Sequence, residues 1–136
     1  MSSNMKYLGI DYGKKNVGLA VSDPSLSFAM PLRVISGFVF MKDVAREVIE
    51  ICKQENIDEI VVGESKDFSQ EDNEIMKKIV LFAENLKEAF NLPVRMHPEF
   101  LTSAEAERLQ GKNKMHDASA AALILKSYLD TIRNHS

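Results

Sequence analysis

The chain has 136 residues, 45% of them hydrophobic and 27% charged, with a formal net charge of −3. That length carries one domain with a core of its own, and the composition excludes disordered, collagen-like and disulfide-scaffold classes. The acidic balance argues against a globally basic nucleic-acid binder, so only local charge can speak for such a partner.

No apolar run approaches the roughly 20 residues of a membrane span, and the opening Met-Ser-Ser-Asn-Met has no signal-peptide character. The lone Cys52 falls in a helical pattern beside Val48 and Ile51, as a small buried apolar residue does. The expectation is a cytoplasmic protein with no membrane partner, a single domain over residues 1–136 whose first four residues form a disordered tail.

Met5 to Asp23 reads as two short strands joined by a polar turn. The first apolar run ends at Asp11, with Gly13 two residues on; the second, Asn16 to Ser22, carries Val17, Leu19, Ala20 and Val21 with Gly18 inside it. A carboxylate ending a buried strand is held by the sheet yet faces its open edge, and a nearby glycine lets a backbone or phosphate approach. An ordinary hairpin that uses Asp and Gly only to turn is the alternative. Asp23-Pro24-Ser25 breaks the run as turn chemistry, and Leu32 to Phe40, entered through Pro31, is β-branched and aromatic enough for a third strand.

From Lys42 the period changes. Val44, Val48, Ile51 and Cys52 form one face of a helix, and Ile57 to Gly63 follows as a strand whose continuous Ile60-Val61-Val62 suits a central position covered on both faces. Ser69 is a plausible N-cap for a second helix with Ile75, Ile79, Phe82, Leu86 and Phe90 as its stripe. Val94 and Met96, with Leu92, predict a short fifth strand. Thr102-Ser103-Ala104-Glu105 has capping-box spacing for a short helix ending at Gly111, and a last helix runs from Asp117 to Ile132 with Ala121, Ala122, Leu125, Leu129 and Ile132 inward. Three consecutive strands followed by helix-separated strands predict an α/β fold: a mixed five-stranded sheet, three strands antiparallel and then two parallel, with helices on both faces.

Such a sheet could bring three more acids near Asp11: Glu64 after the fourth strand, Glu99 after the fifth and Asp117 at the start of the last helix. Carboxylates packed together repel, and a divalent cation is one resolution; Mg²⁺, or Mn²⁺, suits all-oxygen ligands. Each acid also has a plain reading: Asp117 as an N-cap, Glu64 and Glu99 as solvated charges. Lys14 and Lys15 in the first turn, and Arg108, Lys112 and Lys114 before Asp117, bracket the same edge with cations suited to nucleic-acid phosphates, or to water. His97 and His116 are not spaced as a metal pair.

Leu8-Gly-Ile-Asp11-Tyr-Gly13-Lys-Lys-Asn-Val-Gly18-Leu-Ala-Val-Ser-Asp23 resembles the opening signature of the YqgF family of Holliday-junction-resolvase-like proteins. Glu99-Phe-Leu-Thr102-Ser-Ala-Glu-Ala resembles that family's Asp-Glu-Arg-Leu-Thr-Thr segment, and Asp117-Ala-Ser-Ala-Ala-Ala-Leu-Ile-Leu-Lys-Ser-Tyr-Leu its final helix. The resemblance implies a ribonuclease H-like fold, and Asp11, Glu99 and Asp117 as an acidic site binding divalent metal for hydrolysis of structured RNA, such as the pre-16S rRNA 5′ end, or of branched DNA. Two segments depart from the pattern. Gly63-Glu64-Ser65-Lys66 stands where the family has Gly-Leu-Pro, adding Glu64 as a candidate ligand, and Pro98-Glu99-Phe100 replaces Asp-Glu-Arg, removing an acid and an arginine. A nucleic-acid-binding module of the same fold with impaired catalysis is the second reading, and an actin-like ATPase, whose two-domain cleft exceeds this length, the third. A monomer or weak homodimer is expected, with Phe38, Phe40 and Phe100 in either an interface or the core.

Overall fold

In a computed structural model, which describes residues 5–13, 15–23, 25–65, 72–99 and 115–134, the first two predicted strands form a hairpin. β1 (Tyr7–Tyr12) and β2 (Asn16–Ser22) pair antiparallel from Leu8 opposite Val21 to Tyr12 opposite Val17. β3 (Ala29–Ser36) adds antiparallel to β2. It starts and ends earlier than the expected Leu32 to Phe40, for two local reasons. Pro31 lies inside the strand, tolerated because β3 is outermost and because the register shifts between Leu19 and Ala20. Gly37, at φ +73°, then ends the strand, and Phe40 becomes the residue before α1 (Met41–Glu55).

α1 buries Val44, Val48, Ile51 and Cys52, the predicted stripe, and stops at Asn56 in the left-handed region, where Asn is tolerated. β4 (Glu59–Ser65), α2 (Asp72–Ala89), β5 (Val94–Glu99) and α3 (Met115–Asn134) follow. β5 runs three residues past Met96, and α3 extends two residues beyond each expected end. The sheet order is β3-β2-β1-β4-β5, with β4 parallel to both β1 and β5. This is the predicted mixed sheet. The expected N-cap Ser69, the short helix from Thr102 to Gly111, the tail of residues 1–4 and Phe100 lie outside the described residues.

Alternation along the strands sorts the core into two layers. Leu8, Ile10, Ile60 and Val62 pack with Val48, Ile79, Phe82 and Leu86 on the α1/α2 side. Tyr7, Ala20 and Val61 pack with Ala121, Ile124, Leu125 and Leu129 on the α3 side. Ile60-Val61-Val62 is thus buried on both faces, as its unbroken apolar run predicted. Phe38 packs against the first layer, whereas Phe40 is 59% exposed. Among the described residues, no helix is long and apolar enough to cross a membrane.

Candidate functional site

Because β1, β4 and β5 are mutually parallel, their C-terminal ends open on one edge of the sheet, which gathers the strand-end residues Asp11, Glu64 and Glu99. Asp11 is the penultimate residue of β1, partly buried, and pairs with Gly18 on β2. On the other side β1 and β4 are in register at Ile10 and Val62, so Asp11 lies one step on, level with Gly63. Glycines therefore flank Asp11 on both neighbouring strands, and neither presents a side chain beside its carboxylate.

The pleat separates the two strand-end glutamates. Asp11 continues the series Tyr7 and Gly9, which faces α3, and Glu99 occupies the position after Arg95 and His97 in the series that meets α3. Glu64 follows Ile60 and Val62, on the α1/α2 side. Asp11 and Glu64 are on adjacent strands, as the sequence suggested, but at alternate pleat positions. Glu64's charge nevertheless reaches His97, whose pKa burial lowers and Glu64 partly restores.

α3 sets the remaining acid. A Cβ on Gly9 would lie 2.8 Å from Leu125 Cβ and 3.0 Å from the Ala121 carbonyl oxygen, and one on Gly63 would lie 2.5 Å from Ile124 Cδ1. The helix therefore approaches the sheet where only glycine admits it. Its direction follows from its partners: Tyr128 is ring-to-ring with Tyr7, and Leu125 and Ala121 lie over Gly9. As β1 ascends, α3 descends. From Gly9 to Asp11 the strand advances about 7 Å, and from Ala121 back to Asp117 the helix advances about 6 Å. On these rises the first turn of α3, with Asp117, comes to about the level of Asp11.

The side chains of Glu99 and Asp117, and Lys14, Arg108, Lys112 and Lys114 altogether, lie outside the described residues. Lys15 is exposed in the β1–β2 turn. Among the described residues, no group of three or more His, Cys, Asp and Glu side chains is placed to hold a metal ion. The donor chemistry nonetheless fits one: carboxylate oxygens are the ligands that Mg²⁺ and Mn²⁺ take.

Other residues resolve as structure. Asp23 accepts hydrogen bonds from the backbone N–H of Ser27 and Phe28 at 3.0 and 2.8 Å, and with the Ser25 hydroxyl these hold its carboxyl below the usual range. It makes the turn, as read. Cys52 is buried, and burial pushes its thiol to about 12. His97 hydrogen-bonds through Nε2 to Ser127 Oγ at 2.9 Å. Sequence reasoning passed over Gly9, Glu59 and Tyr128, which hold α3 in place. For Gly9, the only sequence signal was a glycine inside an apolar strand.

A family model described as "RuvX: Holliday junction resolvase" matches residues 5–131. A protein of Caldanaerobacter subterraneus subsp. tengcongensis is 35% identical over 139 aligned residues, 96% of this chain and 99% of its own length. One of Dictyoglomus turgidum is 37% identical, covering 94% and 96%. Both carry the name "Putative pre-16S rRNA nuclease". Among solved structures, Thermus thermophilus RuvC in complex with Holliday junction substrate shares the fold at a TM-score of 0.64 and 20% identity, over 95% of this chain and 96% of that one.

Proposed function

Since the chain belongs to the RuvX family of Holliday-junction-resolvase-like proteins, with a ribonuclease H-like fold, we propose that it is a divalent-metal-dependent nuclease that hydrolyses phosphodiester bonds in structured nucleic acid. Precursor 16S rRNA is the first substrate to test, supported by the names of its relatives, and branched DNA the second. The observation that carries the reading is Asp11, flanked by Gly18 and Gly63, at the level of the first turn of α3.

In this reading Asp11, Glu99 and Asp117 hold Mg²⁺ or Mn²⁺, and the pleat ranks Glu64 after them. When bound, the ion supplies charge stabilisation at the phosphate and a more acidic water. Asp11 serves by being anchored between two paired strands, so that its carboxylate keeps its place while substrate enters from the open edge. Lys14, Lys15, Arg108, Lys112 and Lys114 bind backbone phosphates, which makes affinity fall with salt. The protein works in the cytoplasm as a monomer or weak homodimer.

The test is Asp11→Asn, incubated with Mg²⁺ and either precursor 16S rRNA or a four-way DNA junction. Cleavage should fall by at least about a hundredfold, the scale of losing a group used in the chemical step, with the thermal midpoint without metal preserved. Equal cutting by both proteins removes Asp11 from the mechanism. The second reading, a binding module without catalysis, is favoured by Pro98-Glu99-Phe100 in place of Asp-Glu-Arg; RNA bound but left uncut by the wild type with either metal would establish it.

A further inference from the structure

Tyr128 touches all three of the strands that end at the candidate site. Its ring lies 5.9 Å from that of Tyr7 on β1 and 5.7 Å, edge-on, from that of His97 on β5. Its hydroxyl donates to Glu59 Oε2 on β4 at 2.9 Å. Glu59 is 7% exposed, and Arg95 Nε is 3.6 Å from the same oxygen. One residue earlier, Ser127 holds His97.

These contacts do what the apolar contacts of α3 cannot. The buried side of the helix mixes small residues, Ala118, Ala120 and Ala121, with Ile124, Leu125 and Leu129, and apolar contact of this kind is non-directional. A hydrogen bond to a buried carboxylate is directional, and a helix displaced along the sheet would leave Glu59 desolvated without its hydroxyl donor. The penalty falls on wrong placements. Burial and the Glu59 charge hold the Tyr128 hydroxyl protonated, as a donor, far above neutral pH.

We propose that Tyr128 and Ser127 are positioning residues: they lock α3 across β1, β4 and β5, and so hold the turn bearing Asp117 level with Asp11, which makes them determinants of divalent-cation affinity. This rests on the metal-dependent reading above. The contacts lie about three helical turns from Asp117, so neither residue touches the reacting atoms.

The experiment measures Mn²⁺ affinity from the electron paramagnetic resonance of free Mn²⁺, alongside the thermal midpoint and steady-state cleavage of precursor 16S rRNA. Tyr128→Phe and Ser127→Ala are compared with Ser127→Thr, which keeps a hydroxyl, and with Ile79→Val, which loosens the opposite face of the sheet. Tyr128→Phe should weaken Mn²⁺ binding by about tenfold, within the range by which residues that do not touch a ligand change its affinity, and lower kcat with KM for RNA unchanged. Ser127→Ala should do so to a smaller extent, and Ser127→Thr should restore it. Ile79→Val should lower the midpoint and leave Mn²⁺ affinity within twofold. If the wild type binds Mn²⁺ and Tyr128→Phe and Ser127→Ala bind it equally well, or if Ile79→Val loses as much affinity, the positioning role is overturned while the nuclease reading stands. If the wild type itself binds no Mn²⁺, that reading falls and this inference with it. Ser127 is exposed, so its variants decide the matter even where Tyr128→Phe fails to fold.

Discussion

On the α1/α2 side of the sheet, large side chains fill the space: Phe82, Ile79 and Leu86 from α2 and Val44 and Val48 from α1 close over Leu8, Ile10, Ile60 and Val62, with the Phe82 ring 4.7 Å from that of Tyr12. On the α3 side the helix instead comes down onto glycines, Gly9 and Gly63, and is tied by polar contacts through Ser127 and Tyr128. The first face derives its stability from apolar area, which is non-directional and tolerant of small displacement. The second has fewer large apolar groups and stricter placement. Asp11, a candidate acid, belongs to that second face, and Asp117 lies in its helix; in a catalytic site a displacement of an ångström matters to chemistry.

The contrast breaks if damage to one face has the consequences expected of the other. Phe82→Ala should give the largest loss of stability, about 3–5 kcal/mol in denaturant unfolding, while the remaining folded protein binds Mn²⁺ as before. Altered affinity in that folded fraction would erase the distinction. Gly9→Ala should cost about 1–3 kcal/mol, because a Cβ there meets the helix backbone and cannot be accommodated without moving α3. Its loss of cleavage should exceed what unfolding explains. Gly63→Ala, whose new methyl meets the Ile124 side chain rather than backbone, 2.5 Å from Cδ1 and 3.1 Å from Cγ1, should cost about 1 kcal/mol, less than Gly9→Ala.

The smallest effect concerns Cys52 on the apolar face. Its thiol is pushed from 9.0 to about 12 by burial, so folding favours the neutral form. That contribution is complete below pH 9 and is lost as pH rises from 9 toward 12, because only the unfolded chain ionises freely in that window. Cys52→Ala should flatten the part of the alkaline stability decline that belongs to the thiol. A thiol reagent at pH 8 should label the wild type only as fast as it opens; rapid labelling would show that the apolar face is looser than its packing suggests.

Much of the fold was legible along the chain. The boundaries Asn16 and Ser22 of β2 and the Val44-Val48-Ile51-Cys52 stripe of α1 follow from local periodicity, which the final packing obeys. β3 was misplaced because Val39 and Phe40 have strand composition, yet Gly37 had already turned the chain. Pro31 was expected at the start of that strand and lies within it, a position only an edge strand allows. In the site, the strand-end location of Asp11 and Glu64 was readable, whereas their alternate pleat positions were not, since these depend on the register of β1 against β4, strands about fifty residues apart.

By itself the sequence determined the order and type of the described elements, the mixed sheet and the strand-end positions of Asp11 and Glu64, because hydrophobic period and turn chemistry act between near neighbours. Only the tertiary structure decided that α3 descends antiparallel to β1 over Gly9, that Tyr128 spans to Glu59, and that the helix start is brought toward the end of β1 that carries Asp11. Those relations join residues about 70 to 120 positions apart, and they exist only once the chain has paired its strands and one face of the sheet is there to receive the helix.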